Sequence, residues 1–119
     1  MNSPKITVYE KPTCTKCREV RSVLTAKGIA FDLVNYIEQP MSAKELKRLL
    51  HQAGLKPKDA LRTNEDAYKR YVANKNLSDD HLIRTMADHP ELIQRPIVVR
   101  GNKAVLARPV EKLSELDIK

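Results

Sequence analysis

The pattern of apolar residues changes from alternation to helical spacing within the first third of the chain. Residues 5–9 alternate and are rich in β-branched side chains, which predicts a strand. Over residues 15–27 the apolar side chains share one helical face, and Gly28 is a good C-terminal stop. Residues 29–37 again favour a strand. Strand, helix and strand together predict a βαβ unit with parallel strands and a right-handed crossover.

The middle of the chain shows helical signals and no strand pattern. Ser42 and Glu45 have the spacing of a capping box, in which each side chain satisfies a free backbone N–H group. The helix that they open ends at Gly54. Further helical segments follow at residues 56–62, 66–72 and 78–90. The sequence therefore predicts a helical insertion at about residues 42–90.

The last part of the chain predicts a β-hairpin and a closing helix. Residues 96–100 and 104–107 favour strands, and the Gly-Asn pair between them favours a tight turn. Pro109 fits the first turn of the closing helix. The order βαβ, helices, ββα predicts an α/β fold with a four-stranded mixed sheet flanked by helices. A chain of 119 residues can bury one core, so we expect a single domain over residues 1–119.

Composition and charge narrow the class of protein. The chain is 41% apolar and 31% charged, as in ordinary soluble proteins, and no apolar run reaches the ~18 residues of a membrane span. Residues 1–5 contain no apolar signal-peptide segment, so we expect a cytoplasmic protein without a membrane partner. The net charge of +7 fits an anionic substrate, an acidic partner or simply a lysine-rich surface. With one Phe and four Tyr there are few stacking platforms, so we expect no direct nucleic-acid binding.

Both cysteines of the chain, Cys14 and Cys17, lie at the predicted start of the first helix. A helix N-terminus offers free N–H groups and partial positive charge, which favour the thiolate of Cys14. Lys11, Lys16 and Arg18 add positive charge nearby. Cys17 comes one helical turn later, within reach of Cys14, so we interpret Cys14 as a nucleophile and Cys17 as a candidate resolving thiol.

Other roles for the cysteine pair and its surroundings stay open at this point. The pair is also compatible with inert buried thiols or with half of a zinc site. Zinc takes about four ligands, and the three histidines are scattered through the helical block, so we expect no metal. A carboxylate at Glu10, if close to Cys14, would oppose thiolate formation.

Three arginines stand at places where binding sites are commonly built. Arg62 lies in a break between helical segments, Arg95 precedes a predicted strand, and Arg108 follows one. Taken singly, each is compatible with a solvated surface charge. Together with the start of the first helix they would form an oxyanion pocket, because guanidinium groups match the oxygens of tetrahedral anions.

Several short motifs occur in a fixed order along the chain. They are Tyr9-x-x-Pro12-x-Cys14-x-x-x-Arg18, Leu61-Arg62-Thr63 followed by Tyr68-Lys69, His89-Pro90, Gln94-Arg95-Pro96-Ile97-Val98-Val99, and Ala107-Arg108-Pro109. In this order and spacing they resemble the ArsC/Spx family of thioredoxin-fold proteins over nearly the whole chain. The resemblance implies a thioredoxin-like sheet with a helical insertion. In that fold a cis-proline at the place of Pro96 lies beside the active-site cysteine. The resemblance therefore implies a supporting role for Pro96, and also for Arg18, which belongs to the first motif.

The resemblance also implies an activity. Glutaredoxin-coupled arsenate reductases of this family use a nucleophilic cysteine that matches Cys14. Their three oxyanion-binding arginines match Arg62, Arg95 and Arg108. The resemblance therefore implies attack of the Cys14 thiolate on arsenate, with glutathione and glutaredoxin, or thioredoxin, as electron donor and with no bound cofactor.

Two other functions remain as alternatives. The run from Cys14 to Arg18 is similar to that of Spx-type regulators, which bind the α subunit of RNA polymerase and use a cysteine pair as a redox switch. The three arginines favour the arsenate reductase and Cys17 favours the regulator. A general thiol–disulfide oxidoreductase without oxyanion chemistry is the third reading. We interpret the chain as an arsenate reductase-like thiol oxidoreductase.

Overall fold

The computed structural model describes residues 5–118. Residues 1–4 and residue 119 lie outside the described part. Most of the N-terminal segment in which we expect no signal peptide therefore lies outside it as well. The strands are β1 (Ile6–Glu10), β2 (Asp32–Asn35), β3 (Ile97–Arg100) and β4 (Lys103–Leu106). The α-helices are α1 (Thr15–Ala26), α2 (Ala43–Gln52), α3 (Asp66–Tyr71) and α4 (Asp79–Asp88). Short 3-10 helices span Pro57–Ala60, Pro90–Leu92 and Val110–Leu116.

The four strands form one mixed sheet in the order β2-β1-β3-β4. β1 pairs in parallel with β2, as the βαβ pattern predicted, and antiparallel with β3, which forms a hairpin with β4. Val8 on β1 lies opposite Val98 on β3, which in turn lies opposite Val105 on β4. This register places a row of β-branched side chains on one face of the sheet, where all three are buried. The predicted four-stranded mixed α/β sheet is confirmed.

Two apolar clusters cover the two faces of the sheet. On one face, α1 and the 3-10 helix Val110–Leu116 pack on the valine row through side chains such as Val20 and Leu113. On the other face, the helices between β2 and β3 pack through side chains such as Leu46 and Met86. The sheet therefore separates α1, which begins at the cysteine pair, from the helical segment between β2 and β3. Single-domain organisation over the whole chain stays a prediction.

Two of the helices between β2 and β3, α2 and α4, begin at serine caps. The Ser42 hydroxyl accepts a hydrogen bond from the Glu45 backbone N–H at 3.1 Å, as predicted, but the Glu45 carboxylate accepts from the Ser42 hydroxyl rather than from backbone. Ser78 caps α4 in the same way, by accepting from the His81 backbone N–H at 3.2 Å. The longest described helix, α1, has 12 residues, and no helix within residues 5–118 has the length and apolar character of a membrane span.

Strand β2 is shorter than predicted. Before it, Gly28 adopts φ +69° and the Ile29 N–H bonds back to Leu24, which completes the end of α1 rather than starting a strand. After it, the Asn35 side-chain oxygen accepts from the backbone N–H groups of Ile37 and Glu38, which turns the chain. Local side-chain and cap hydrogen bonds therefore limit the strand to four residues.

The closing helix is a 3-10 helix, Val110–Leu116, rather than an α-helix. A 3-10 helix has three residues per turn, so apolar residues spaced by three align on one side. Val110, Leu113 and Leu116 have this spacing, and the two leucines are buried against α1 and the sheet. Pro109 precedes the helix with an extended backbone instead of forming its first turn.

Candidate active site

The cysteine pair lies where β1 passes into α1. Cys14 is the residue before the helix, with its carbonyl accepting from the Arg18 N–H at 3.0 Å, and its own N–H closes a turn onto the Lys11 carbonyl at 2.9 Å. Cys14 is partly exposed, whereas Cys17, in the first helical turn, is completely buried. Both are free thiols. The exposed member of the pair is therefore the one at the helix N-terminus.

The surroundings of the two thiols separate their pKa values. Burial raises the pKa of Cys14, but the backbone N–H and thiol of Cys17, the backbone N–H of Lys16 and the charge of Arg95 together lower it below its usual value. Burial and the neighbouring Cys14 raise the pKa of Cys17 to about 12. This arrangement fits a Cys14 thiolate that accepts a hydrogen bond from a protonated Cys17 thiol.

Arg95 is a buried guanidinium group with free donors beside Cys14. Its side chain is only 5% exposed, and its Nε and Nη1 atoms have no hydrogen-bond partner among the described residues. Burial lowers the pKa of Arg95, but the adjacent Tyr36 hydroxyl and Cys14 sulfur outweigh this effect and raise it. The Tyr36 hydroxyl is itself fixed, because it donates to the Ile93 carbonyl at 2.7 Å. Unpaired buried donors are rare in folded proteins, so these N–H groups mark a place for an acceptor.

The other two predicted arginines meet at one side-chain oxygen. Arg62 Nη1 and Arg108 Nη1 each donate to Gln94 Oε1 at 3.3 Å. Arg108 Nη1 also donates to the Arg95 carbonyl at 3.0 Å, and Arg62 Nε donates to Glu65 at 3.3 Å. The structure therefore joins Arg62 and Arg108 to the segment that carries Arg95.

The backbone explains why these distant positions converge. The Arg62 N–H donates to the Leu92 carbonyl and the Gln94 N–H donates to the Ala60 carbonyl, both at 2.7 Å. These two bonds form a bridge between the segment after the first 3-10 helix and the segment before β3. Arg108 follows β4, whose pairing with β3 brings it to the same edge of the site.

The two remaining predicted residues lie in different surroundings. Pro96 is buried directly before β3 and is joined to Arg95 by a cis peptide bond. Arg18 is exposed on α1, and within residues 5–118 its side chain makes no hydrogen bond to Cys14 or to the three arginines. A second cis bond, Arg108–Pro109, was not predicted.

Glu10 is close to the cysteines, but its charge is paired. The carboxylate is 2% exposed, and its two oxygens lie 2.9 and 2.7 Å from Arg21 Nη1. Glu10 contributes to the raised pKa of Cys17. The Glu10 carboxylate thus opposes ionisation of the buried Cys17 and increases the difference in pKa between the two thiols.

Four residues of the site were not identified from the sequence: Tyr36, Gln94, Arg21 and Glu65. Gln94 had a usable signal, because it directly precedes Arg95 at the start of a strand. The contact of Tyr36 with Ile93 spans 57 positions, and no local pattern indicates it. No group of three or more histidines, cysteines and carboxylates with metal-binding geometry occurs within residues 5–118.

Comparison with known proteins shows the family to which this chain belongs. The chain is 38% identical over 112 residues to an arsenate reductase of Neisseria meningitidis serogroup A, and the alignment covers 92% of this chain and 96% of the relative. It is 37% identical over 114 residues to the uncharacterized protein YfgD of Escherichia coli K12, with 94% and 96% covered. The structure superimposes on an arsenate reductase from Vibrio cholerae with a TM-score of 0.89 and 40% identity, covering 96% of this chain and 98% of that one. The expected thioredoxin-like fold is confirmed by these neighbours, which include a glutaredoxin. Since the model of the ArsC family matches residues 9–116, nearly the whole chain, this protein is a member of the ArsC family.

Proposed function

We propose that this protein is an arsenate reductase-like thiol oxidoreductase in which Cys14 attacks an arsenate held by Arg62, Arg95 and Arg108. The observation that carries this proposal is the buried Arg95 guanidinium with free Nε and Nη1 donors beside a cysteine of lowered pKa. The names of the relatives in Neisseria meningitidis and Vibrio cholerae support arsenate as the substrate.

The first step forms a sulfur–arsenic bond. The Cys14 thiolate attacks the arsenic, and one arsenate oxygen leaves as water after taking up protons. The arginine N–H groups offset the negative charge that the oxygens carry during this exchange. The free donors of Arg95 are suited to this task because they are already in place and need no reorganisation when the anion arrives.

The second step transfers two electrons. A second thiol attacks the sulfur of Cys14, a disulfide forms, and the sulfur–arsenic electron pair passes to arsenic, which leaves as arsenite. In balance, arsenate and two thiols give arsenite, one disulfide and one water. We propose Cys17 as the second thiol, because it lies one helical turn from Cys14 and is close enough to help lower the pKa of Cys14.

Glutathione with glutaredoxin, or thioredoxin, would then reduce the internal disulfide and return both thiols. No bound cofactor is needed for this cycle. The cytoplasm, where such donors keep cysteines reduced, is the compartment in which the cycle would run.

The test is arsenate reduction by the purified protein with glutathione and glutaredoxin. Arg95→Ala should raise KM for arsenate about tenfold to a hundredfold, because hydrogen bonds to charged groups contribute about 1.5–3 kcal/mol. Cys14→Ser should abolish turnover. Arg84→Ala, which removes an exposed arginine of α4, is the matched control and should leave KM within about twofold. Wild-type protein that reduces a disulfide substrate but no arsenate would instead indicate a general thiol–disulfide oxidoreductase.

A redox-sensing regulator of the Spx type is the second candidate, because the buried Cys17 beside Cys14 also suits a reversible switch. This function requires binding to the α subunit of RNA polymerase in one redox state. A pull-down with oxidised and reduced protein separates the two functions: selective binding together with absent arsenate turnover would favour the regulator, and no binding in either state would count against it.

A further inference from the structure

We propose that Gln94 is a positioning residue of the anion pocket: its neutral amide orients Arg62 and Arg108 without cancelling the positive charge that attracts a tetrahedral anion. This inference rests on the proposed function. Gln94 itself transfers no proton or electron; it acts through the two arginines that donate to its side-chain oxygen, Arg62 and Arg108.

The orientation of the Gln94 amide is fixed from several sides. Its backbone N–H donates to the Ala60 carbonyl at 2.7 Å, and its side-chain Nε2 donates to the Leu61 carbonyl at 3.5 Å. With the NH₂ group on the Leu61 carbonyl, Oε1 must face the two guanidinium groups. An amide oxygen has two lone pairs, and two N–H donors at 3.3 Å use both.

Gln94 Oε1 thus accepts hydrogen bonds from two arginines before an anion binds. An oxygen of the bound anion would accept such bonds in the complex. Two guanidinium groups held close together repel each other, and a shared acceptor offsets this repulsion. Because the acceptor is neutral, it orients the arginines without cancelling their charge. Arg108 is additionally held by the Arg95 carbonyl at 3.0 Å, so Arg62 and Arg108 are both placed before an anion arrives.

The charge balance depends on this neutrality. The proposed pocket includes the three guanidinium groups of Arg62, Arg95 and Arg108, the Cys14 thiolate, and one paired carboxylate, Glu65, which accepts from Arg62 Nε at 3.3 Å. Three positive charges and two negative charges leave one net positive charge to attract an anion. A glutamate in place of Gln94 would pair with both arginines and would leave no net positive charge.

The experiment measures anion binding without turnover. Sulfate, a tetrahedral dianion, should protect Cys14 against alkylation by iodoacetamide, and the concentration for half-protection reports binding. We expect Gln94→Glu to raise this concentration about tenfold or more, since each charge-assisted hydrogen bond lost to the anion is a strong one. The melting temperature of Gln94→Glu should exceed that of Gln94→Ala, because its carboxylate pairs with the arginines even though the hydrogen bond to the Leu61 carbonyl is lost. Gln94→Ala should lower the melting temperature and raise the half-protection concentration by a smaller factor.

A matched control and three outcomes make the test decisive. Gln39→Glu adds the same charge at an exposed glutamine and should leave half-protection within about twofold. Sulfate protection that is the same in Arg95→Ala as in the wild type would overturn the anion pocket, and the role of Gln94 with it. Protection that depends on Arg95 but is unchanged in Gln94→Glu would overturn the role of Gln94 alone. Recovery of both stability and sulfate binding in Gln94→Glu relative to Gln94→Ala would show that Gln94 is only structural, which also overturns the proposal.

Discussion

Arg21 of α1 holds the carboxylate of Glu10 at the end of β1, with Nη1 lying 2.9 and 2.7 Å from its two oxygens. Through Nη2 the same guanidinium donates to the Pro12 carbonyl at 3.3 Å. One side chain therefore ties together the strand, the loop and the helix that present Cys14. The pair is unevenly buried, because Glu10 is 2% exposed and Arg21 is 24% exposed.

Removing Arg21 should be strongly destabilising, because it leaves a buried carboxylate without its partner. We expect Arg21→Ala to lower the free energy of unfolding by about 3 kcal/mol, the lower end of the range for a buried pair that loses one member. Lys47→Ala breaks the exposed pair with Asp80 and should cost under about 1 kcal/mol. Urea unfolding of both variants measures the difference, and equal costs would show that the Glu10–Arg21 pair contributes no more than a surface pair.

The Glu10–Arg21 pair also separates what the sequence predicts, the local strand and helix, from what it does not, the partner of a buried side chain. The alternating strand, the helix start at the cysteines and the parallel crossover were predictable, because each depends on local periodicity and caps. The sequence also places the Glu10 carboxylate near Cys14. Its partner was not identified, because which arginine of α1 faces β1 depends on how the helix packs on the sheet.

For the three arginines too, the sequence indicates where they stand along the chain but not what their side chains contact. The sequence placed Arg62, Arg95 and Arg108 at breaks and strand ends, and the family resemblance grouped them. The sequence could not show that two of them share the Gln94 oxygen, because this contact depends on the backbone bridge between residues 61 and 93. It also could not show that Arg95 keeps free donors, because burial and pairing exist only in the folded chain.

The two cysteines should differ sharply in reactivity. We expect iodoacetamide to modify Cys14 in the folded protein at a rate whose pH midpoint lies below 9.0, the ordinary thiol value, because its pKa is lowered. Cys17, with a pKa of about 12 and no exposure, should react only after unfolding. In Arg95→Ala the midpoint for Cys14 should move up, because a positive charge beside the thiolate is lost. Mass spectrometry of alkylated protein gives both rates; equal modification of the two cysteines would contradict the assignment.

Stability should decrease in alkaline solution because of Cys17 and Tyr36. Burial raises the pKa of each to about 12, from 9.0 and 10.0. Between the unfolded and folded values the folded chain keeps a proton that the unfolded chain has lost. The stabilisation from each group is thus complete below its unfolded pKa and is lost as pH rises toward about 12.

The alkaline effect can be assigned by substitution. Urea unfolding of the wild type from about pH 8 to about pH 11 should show a falling free energy, and Cys17→Ala should reduce the slope above about pH 9. Tyr36→Phe should reduce the slope above about pH 10, although it also removes the hydrogen bond to the Ile93 carbonyl and so lowers stability at every pH. An unchanged slope in both variants would show that neither buried group keeps its proton in the folded chain.

A single turnover without any external thiol is the sharpest test of whether Cys17 completes the reaction. If Cys17 is the second thiol, reduced wild-type protein should convert arsenate to about one arsenite per chain and form one internal disulfide, because two thiols supply both electrons. Cys17→Ser should form no arsenite under the same conditions, while its Cys14 remains alkylatable and protectable by sulfate. With glutathione and glutaredoxin added, any turnover that Cys17→Ser regains measures how well an external thiol substitutes. Full wild-type turnover in this variant would make Cys17 dispensable and leave it the role of hydrogen-bond donor to the Cys14 thiolate.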